Sequence, residues 1–116
     1  MYWNKPMETI DRADLERIQL ERLKKTVHRM YKNVPFYRER MQKKGVKTED
    51  IRTLADLKLL PFMDKTDLRD NYPFGTFAAP REEIVRIHAS SGTTGKPIVA
   101  GYTQNDIDMW AECVAR

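Results

Sequence analysis

The chain has 116 residues, of which 41% are hydrophobic and 33% are charged, with 5 glycines and 6 prolines. These proportions are typical of a globular protein and argue against a disordered or fibrous chain, and the length suits one modest core. Its apolar runs are short and no signal-peptide core follows Met1, so we expect a cytoplasmic protein without a membrane segment. The single cysteine, Cys113, excludes an internal disulfide, and two distant histidines do not form a zinc site.

The net charge of +4 is unevenly distributed. Residues 1–60 hold 15 basic and 9 acidic side chains, whereas residues 61–116 hold 6 and 8. Ten of the basic residues, with one acid among them, lie between Arg22 and Lys47. Such a cluster attracts nucleic acid, anionic lipid or a phosphorylated ligand, or it forms a solvated helix face. We favour the solvated face, because core-type residues are interspersed among the cations.

The first part of the chain is predicted to be helical. Between Asp11 and Asn33, apolar residues recur every three to five positions, which is typical of an amphipathic helix: Leu15, Ile18, Leu23, Val27 and Met30. This helix should end before Pro35, which disfavours helical geometry in the residue before it. Pro35 can open a second helix, and Gly45 is a natural left-handed cap for its end.

The helical segments predicted after Gly45 are shorter. Residues 53–56 and 64–67 have the spacing of capping boxes, and each should start a helical turn. Residues 74–80 should form a loop that Phe74 and Phe77 pack down. Tyr37, Tyr72 and Trp110 are expected to be packing anchors rather than stacking platforms.

The last third of the sequence changes in character. Residues 84–89 and 98–102 are rich in branched side chains and are predicted to be strands. Thr103 should cap a final helix that has Ile107, Trp110 and Val114 on its apolar face. We expect Cys113 to be a small core residue beside that face. His88 should be a strand residue that is hydrogen-bonded to its neighbours.

Residues 90–97, between the two strands, have the properties that a polyphosphate requires. Glycine allows backbone NH groups to converge on anionic oxygens, the serine and threonine hydroxyls donate without adding charge, and Lys96 supplies a cation. The spacing is not that of a Walker A loop, because two residues separate Gly92 from Gly95 and Pro97 follows the lysine. A flexible polar hairpin loop is the alternative, but eight specified residues between two strands favour a phosphate site.

The loop resembles the signature phosphate loop of the adenylate-forming (acyl-activating) enzymes, which reads Ser/Thr-Ser-Gly-Thr-Thr-Gly-x-Pro. Residues 33–38, 67–75 and 88–103 also resemble the branch of this family that joins aryl acids to coenzyme A, and together they span most of the chain from residue 33 to 103. As in that branch, Ile98 stands after Pro97, where many other members have a lysine.

The resemblance implies an α/β fold in which a helical part precedes a strand-loop-strand hairpin and a helix. Residues 1–80 would be the mainly helical N-terminal region, and residues 81–116 would begin the ATP-binding α/β region. The two form one incomplete domain, the N-terminal segment of a longer ligase that lacks activity alone. Later sheet elements normally cover such strands, so we expect exposed strand edges and apolar surface, which would favour a homodimer or a swapped assembly.

In this family a carboxylate attacks the α-phosphate of ATP to give an acyl-adenylate and pyrophosphate, and the thiol of coenzyme A then displaces AMP. The resemblance implies that Mg²⁺ accompanies ATP and that a small aromatic carboxylic acid such as phenylacetate is the acyl substrate. It places no catalytic residue or metal ligand in this segment, because the substrate carboxylate is the nucleophile. The residues implied to hold the ATP phosphates are Ser90, Ser91, Gly92, Thr93, Thr94, Gly95 and Lys96.

Two alternatives remain open at this point. The chain could be a noncatalytic basic helical module that binds nucleic acid or another polyanion, or an adenylate-forming enzyme with a different acid or acceptor. We favour the aryl-acid ligase, and therefore expect neither nucleic acid nor a membrane as a partner.

Overall fold

The computed structural model describes residues 1–91 and 95–116. Within this part, helices α1 to α5, two β-strands and short 3-10 turns follow in the order α1 (Lys5–Glu8), α2 (Arg12–Asn33), α3 (Pro35–Lys44), α4 (Lys65–Asp70), β1 (Ile84–Ser90), β2 (Ile98–Thr103) and α5 (Gln104–Ala115). The 3-10 turns lie at Thr48–Asp50, Leu54–Leu59 and Arg81–Glu83. The predicted class, a helical part followed by a hairpin and a helix, is confirmed.

Helices α2 and α3 begin and end where local chemistry predicts. The Asp11 side chain caps α2 by accepting a hydrogen bond from the Asp14 amide. Pro35 is the first residue of α3. Its lack of an NH costs no hydrogen bond there, because the NH at the first position of a helix has no partner within the helix. Gly45 ends α3 with φ 72°, in the left-handed region.

The core lies between α2, α3 and the turns that follow them. Its buried residues are Val27, Val34, Tyr37, Met41, Val46 and Ile51. The Tyr37 hydroxyl donates a hydrogen bond to the Pro61 carbonyl oxygen at 3.1 Å, so the polar end of this buried ring is satisfied. The prediction that Tyr37 is a packing anchor is confirmed, whereas the same prediction for Tyr72 is wrong, because Tyr72 is 41% exposed.

Helix α4 is joined to α3 by an ion pair. Asp67 closes the predicted capping box at Asp64 and is only 8% exposed. The Arg40 guanidinium donates to both oxygens of this carboxylate, with Nη1 2.6 Å from Oδ2, and also to the Phe62 carbonyl oxygen at 2.9 Å. One arginine therefore fixes both the start of α4 and the segment before it.

Strands β1 and β2 form an antiparallel hairpin, as predicted. Ile84 pairs with Thr103 at one end and Ser90 pairs with Ile98 at the other, with an irregularity between Ile84 and Arg86. Beyond Ile84, all of β1 is exposed. Thr103 then starts α5 through the predicted capping box with Asp106.

The outer face of α5 differs from the prediction. Trp110 is 46% exposed, so the prediction that it is a packing anchor is wrong, and Val114 is 75% exposed. Cys113 is exposed, so its prediction as a core residue is wrong, because nothing in the described part of the chain covers that side of the helix. His88 is exposed on β1, and its ring centroid lies 4.8 Å from that of Tyr102 and 5.8 Å from that of Trp110.

The N-terminal residues contact α5. The Trp3 indole NH donates to Glu112 Oε2 at 2.9 Å, and the Asn4 amide donates to Glu112 Oε1 at 2.7 Å. These bonds and the neighbouring Arg116 lower the pKa of Glu112, with the Asn4 bond as the largest cause. No helix in the described part of the chain is long and apolar enough to cross a bilayer.

Candidate functional site

The candidate site lies at the closed end of the hairpin. Ser90 is the last residue of β1 and pairs with Ile98, the first residue of β2. Because residues 90 and 98 are partners in the antiparallel ladder, residues 91 and 97 lie at the same end of the hairpin. Pairing of the two strands, which form the stem of the hairpin, therefore holds the described ends of the predicted phosphate loop together.

Four of the seven predicted loop residues lie in the described part of the chain, and all four are exposed: Ser90, Ser91, Gly95 and Lys96. Gly92, Thr93 and Thr94 lie outside the described residues, so their predicted roles stay predictions. The exposed hydroxyls and ammonium group are available to an anion from solvent.

Gly95 has φ +117°, a backbone conformation that L side chains rarely adopt. A Cβ built on Gly95 would meet no atom within 4 Å. The requirement for glycine is therefore conformational and not steric. This agrees with the reason for expecting glycine in a loop whose NH groups turn towards an anion.

A glycine of β2 holds the stem against the helical part of the chain. A Cβ on Gly101 would lie 2.5 Å from Cζ of Phe77, so the backbone of β2 approaches that ring closely. The Phe77 ring packs on Phe74 with centroids 5.3 Å apart, and the Arg81 guanidinium lies 4.2 Å from the Phe74 centroid. The prediction of a packed loop at 74–80 is confirmed. Sequence reasoning did not identify Gly101 as a contact, although a glycine inside a strand is a known signal of close approach.

A cavity of about 290 Å³ lies between the hairpin and the helical part. Its lining is mixed: Met63, Leu68, Phe77, Ile84 and Val99 are apolar, whereas Arg29 and Asp106 are charged. In the described part of the chain, no three His, Cys, Asp or Glu side chains are placed to share a metal ion. At the closed end of the hairpin, the candidate phosphate ligands are those of the loop itself.

Comparison with known proteins gives close relatives, although no family model matches the chain. Over 111 residues it is 58% identical to the phenylacetate-coenzyme A ligase of Aromatoleum evansii and also 58% identical to that of Escherichia coli. It is 54% identical over all 116 residues to the phenylacetate-coenzyme A ligase of Thermus thermophilus. The chain covers 25 to 26% of the length of these relatives.

The fold has matching neighbours among solved structures. A 2-hydroxyisobutyryl-CoA ligase in complex with 2-HIB-AMP and CoA matches 99% of this chain with a TM-score of 0.86 and 32% identity. A second structure of that ligase, in the postadenylation state with 2-HIB-AMP, matches with a TM-score of 0.83. The chain covers 25% of each of these structures.

Sequence and fold together make this chain similar to acid-coenzyme A ligases, so the resemblance drawn from the loop is confirmed. The relatives at 54 to 58% identity are phenylacetate-coenzyme A ligases, of which the chain spans about a quarter.

Proposed function

We propose that this chain supplies the ATP phosphate-binding loop of an AMP-forming ligase that joins a phenylacetate-like acid to coenzyme A. The observation that carries the proposal is the strand-loop-strand unit: a loop of matching composition stands at the end of a paired stem, in a chain 58% identical to phenylacetate-coenzyme A ligases. Residues 1–80 would support the stem, and residues 81–116 would begin the nucleotide-binding region.

The loop would act by position and charge. Ser90, Ser91, Thr93 and Thr94 would donate hydrogen bonds to the β- and γ-phosphates, and the backbone near Gly92 and Gly95 would present NH groups to the same oxygens. Lys96 would add a positive charge, and Mg²⁺ would arrive with ATP. Held in this way, the pyrophosphate portion is stabilised as it gains charge on leaving.

The chemistry needs no nucleophile from this chain. A carboxylate oxygen of the acid forms a bond to the α-phosphorus, the bond from that phosphorus to the bridging oxygen breaks, and pyrophosphate leaves with the electron pair. In the second step, the sulfur of coenzyme A bonds to the acyl carbon and releases its proton, and the bond from that carbon to the AMP oxygen breaks, with its electron pair leaving on AMP. The exposed loop hydroxyls and Lys96 would only orient and stabilise the phosphates.

An aryl acid is the favoured substrate. The relatives at 54 to 58% identity are phenylacetate-coenzyme A ligases, whereas the ligase named for 2-hydroxyisobutyrate shares 32% identity. That second match makes a small hydroxy acid the alternative acyl substrate. The difference in identity favours phenylacetate.

A chimera tests the proposal. This chain would replace the matching quarter of the Escherichia coli ligase, and AMP release would be followed with ATP, Mg²⁺, coenzyme A and either phenylacetate or 2-hydroxyisobutyrate. We expect AMP release with phenylacetate, and no thioester from the 116-residue chain alone. A folded chimera that releases no AMP with either acid would refute the proposal.

Loop variants of the chimera sharpen the test. We expect K96M and the double variant S90A/S91A to raise the KM for ATP about tenfold or more, because each removes donors to a phosphate. The matched control is K58M, which removes an equally exposed lysine from a turn outside the loop. Equal effects of K96M and K58M would argue against a phosphate role for Lys96.

A further inference from the structure

One exposed side of helix α2 concentrates positive charge. We call this side the α2 cationic face, and its exposed members are Lys24, Lys25, His28, Arg29 and Lys32. At 100° per residue and 1.5 Å of rise, they cover an arc of roughly 140° and about 12 Å of helix length. Together with Asn33 they line one shallow depression.

The core fixes the direction of this face. Val27, on the opposite side of the helix, is 3% exposed, and Leu23 and Met30 pack against the same core. At the end of the face, the Asn33 side-chain amide donates a hydrogen bond to the Ala78 carbonyl oxygen at 2.8 Å. The helix therefore cannot rotate its cations away from solvent without losing its core contacts.

In the part of the chain that the structure describes, three acidic side chains lie near this face without forming ion pairs with it: Glu83 and Asp106 line clefts with Arg29, and Glu49 lines one with Lys24 and His28. Lys25 Nζ lies 2.7 Å from Glu21 Oε1 in an exposed pair. Among the described residues, Lys24, Arg29 and Lys32 form no ion pair. The sequence has no acidic residue from position 22 to 38. The summed field of the face therefore attracts an anion that carries more than one charge.

The face is separate from the phosphate loop. Arg29 and Asn33 line a second cleft with Val85 and Thr103, at the end of the hairpin where Ile84 pairs with Thr103. The loop leaves from the other end, six residues along β1, which corresponds to about 20 Å at 3.3 Å per residue. An anion on the α2 cationic face is thus not an ATP phosphate held by the loop.

We propose that the α2 cationic face binds the phosphate-bearing nucleotide end of coenzyme A. The proposal rests on the proposed function, which requires coenzyme A as a second substrate after ATP has occupied its own loop. Coenzyme A has a 3′-phosphate and a diphosphate, so it offers several negative charges over a short distance. A 12 Å face would meet only about three or four phosphates of one nucleic-acid strand, which favours the small ligand over nucleic acid.

The test is binding to the full 116-residue chain, followed by NMR at low salt. We expect coenzyme A to shift the amide signals of residues 24–32, and dephospho-coenzyme A, which lacks the 3′-phosphate, to bind at least about threefold more weakly. The charge-reversal variant K24E/R29E should weaken coenzyme A binding about tenfold and remove the preference between the two ligands. Its matched control, K43E/K47E, changes the same charge on exposed residues elsewhere and should alter affinity less than about twofold.

Three results would overturn the proposal: no shift in α2 on adding coenzyme A, equal losses in K24E/R29E and K43E/K47E, or a random single-stranded oligonucleotide that displaces coenzyme A at equal phosphate concentration. The last would favour a nucleic-acid surface. Failure of this proposal can be distinguished from failure of the proposed function. AMP release from ATP and acid measures adenylation, whereas the NMR titration with coenzyme A contains neither ATP nor acid.

Discussion

Gly101 of β2 lies against the outer end of the aromatic ring of Phe77. A Cβ on Gly101 would be 2.5 Å from Cζ and 2.6 Å from Cε2 of that ring, nearer than non-bonded carbon atoms approach. Gly101 is also paired with Ile87 in the ladder, so it cannot move without moving the hairpin. The contact therefore couples the position of the stem to the packed loop that precedes it.

We expect G101A to destabilise the protein by about 1–3 kcal/mol, because either the ring or the strand must shift. The measurement is the free energy of unfolding in urea. In the double variant G101A/F77L the ring is absent, so the combined loss should be smaller than the sum of the single losses. Additive losses would mean that the two residues do not interact as the structure indicates.

At the end of α3, Gly45 has φ 72° and no atom within 4 Å of its ideal Cβ position. We expect G45A to lower the free energy of unfolding by about 1 kcal/mol, because alanine in the left-handed region is strained. G45N should lose less, since asparagine tolerates that region better. The check is thermal unfolding of the three proteins, and equal stability of G45A and the parent would contradict the assigned backbone conformation.

The ion pair between Arg40 and Asp67 should make stability depend on pH. The Arg40 hydrogen bonds, and next the bond from the Asp64 amide, hold the pKa of Asp67 below its ordinary value. A carboxyl whose pKa is lower in the folded state stabilises the protein above its unfolded pKa of about 4 and loses that effect as pH falls through the folded pKa. We expect urea unfolding between pH 6 and 2 to show this loss, with a flatter profile for D67N.

The matched control for D67N is E21Q. The pKa of Glu21 is also lowered, chiefly by its hydrogen bond to Lys25, but this pair is exposed on α2. Solvent screens such a pair, so E21Q should change the profile less than D67N does. A larger effect for E21Q would contradict the structural importance given to the Arg40 pair.

The start of α5 depends on a reciprocal cap. Asp106 N donates to Thr103 Oγ1 at 3.3 Å, and Thr103 N donates to Asp106 Oδ2 at 2.9 Å. We expect T103A to lower the free energy of unfolding by about 1 kcal/mol and T103S to restore most of it, because serine keeps the hydroxyl acceptor. Circular dichroism during urea unfolding measures both. Equal losses for the two variants would point to the threonine methyl group instead.

Helix ends, capping boxes and the hairpin were predictable because each depends on residues that are neighbours in sequence. Pro35, Gly45 and the Thr103 cap act on the backbone within one turn, and a high content of branched side chains marks the strands. The short helix α1 was not predicted, since its four residues contain no apolar period. The loop composition at 90–97 identified the family for the same local reason.

Neighbouring residues along the chain therefore specify the local elements and the class of the loop. The contacts of Asp67 with Arg40, of Gly101 with Phe77 and of Glu112 with the N-terminal residues became visible only in the folded chain. The partners in these pairs are separated by 24 or more positions, and no periodicity relates them. The same reason explains the error at Cys113: a helical period shows which side of α5 is apolar, but burial depends on whether another element packs against that side.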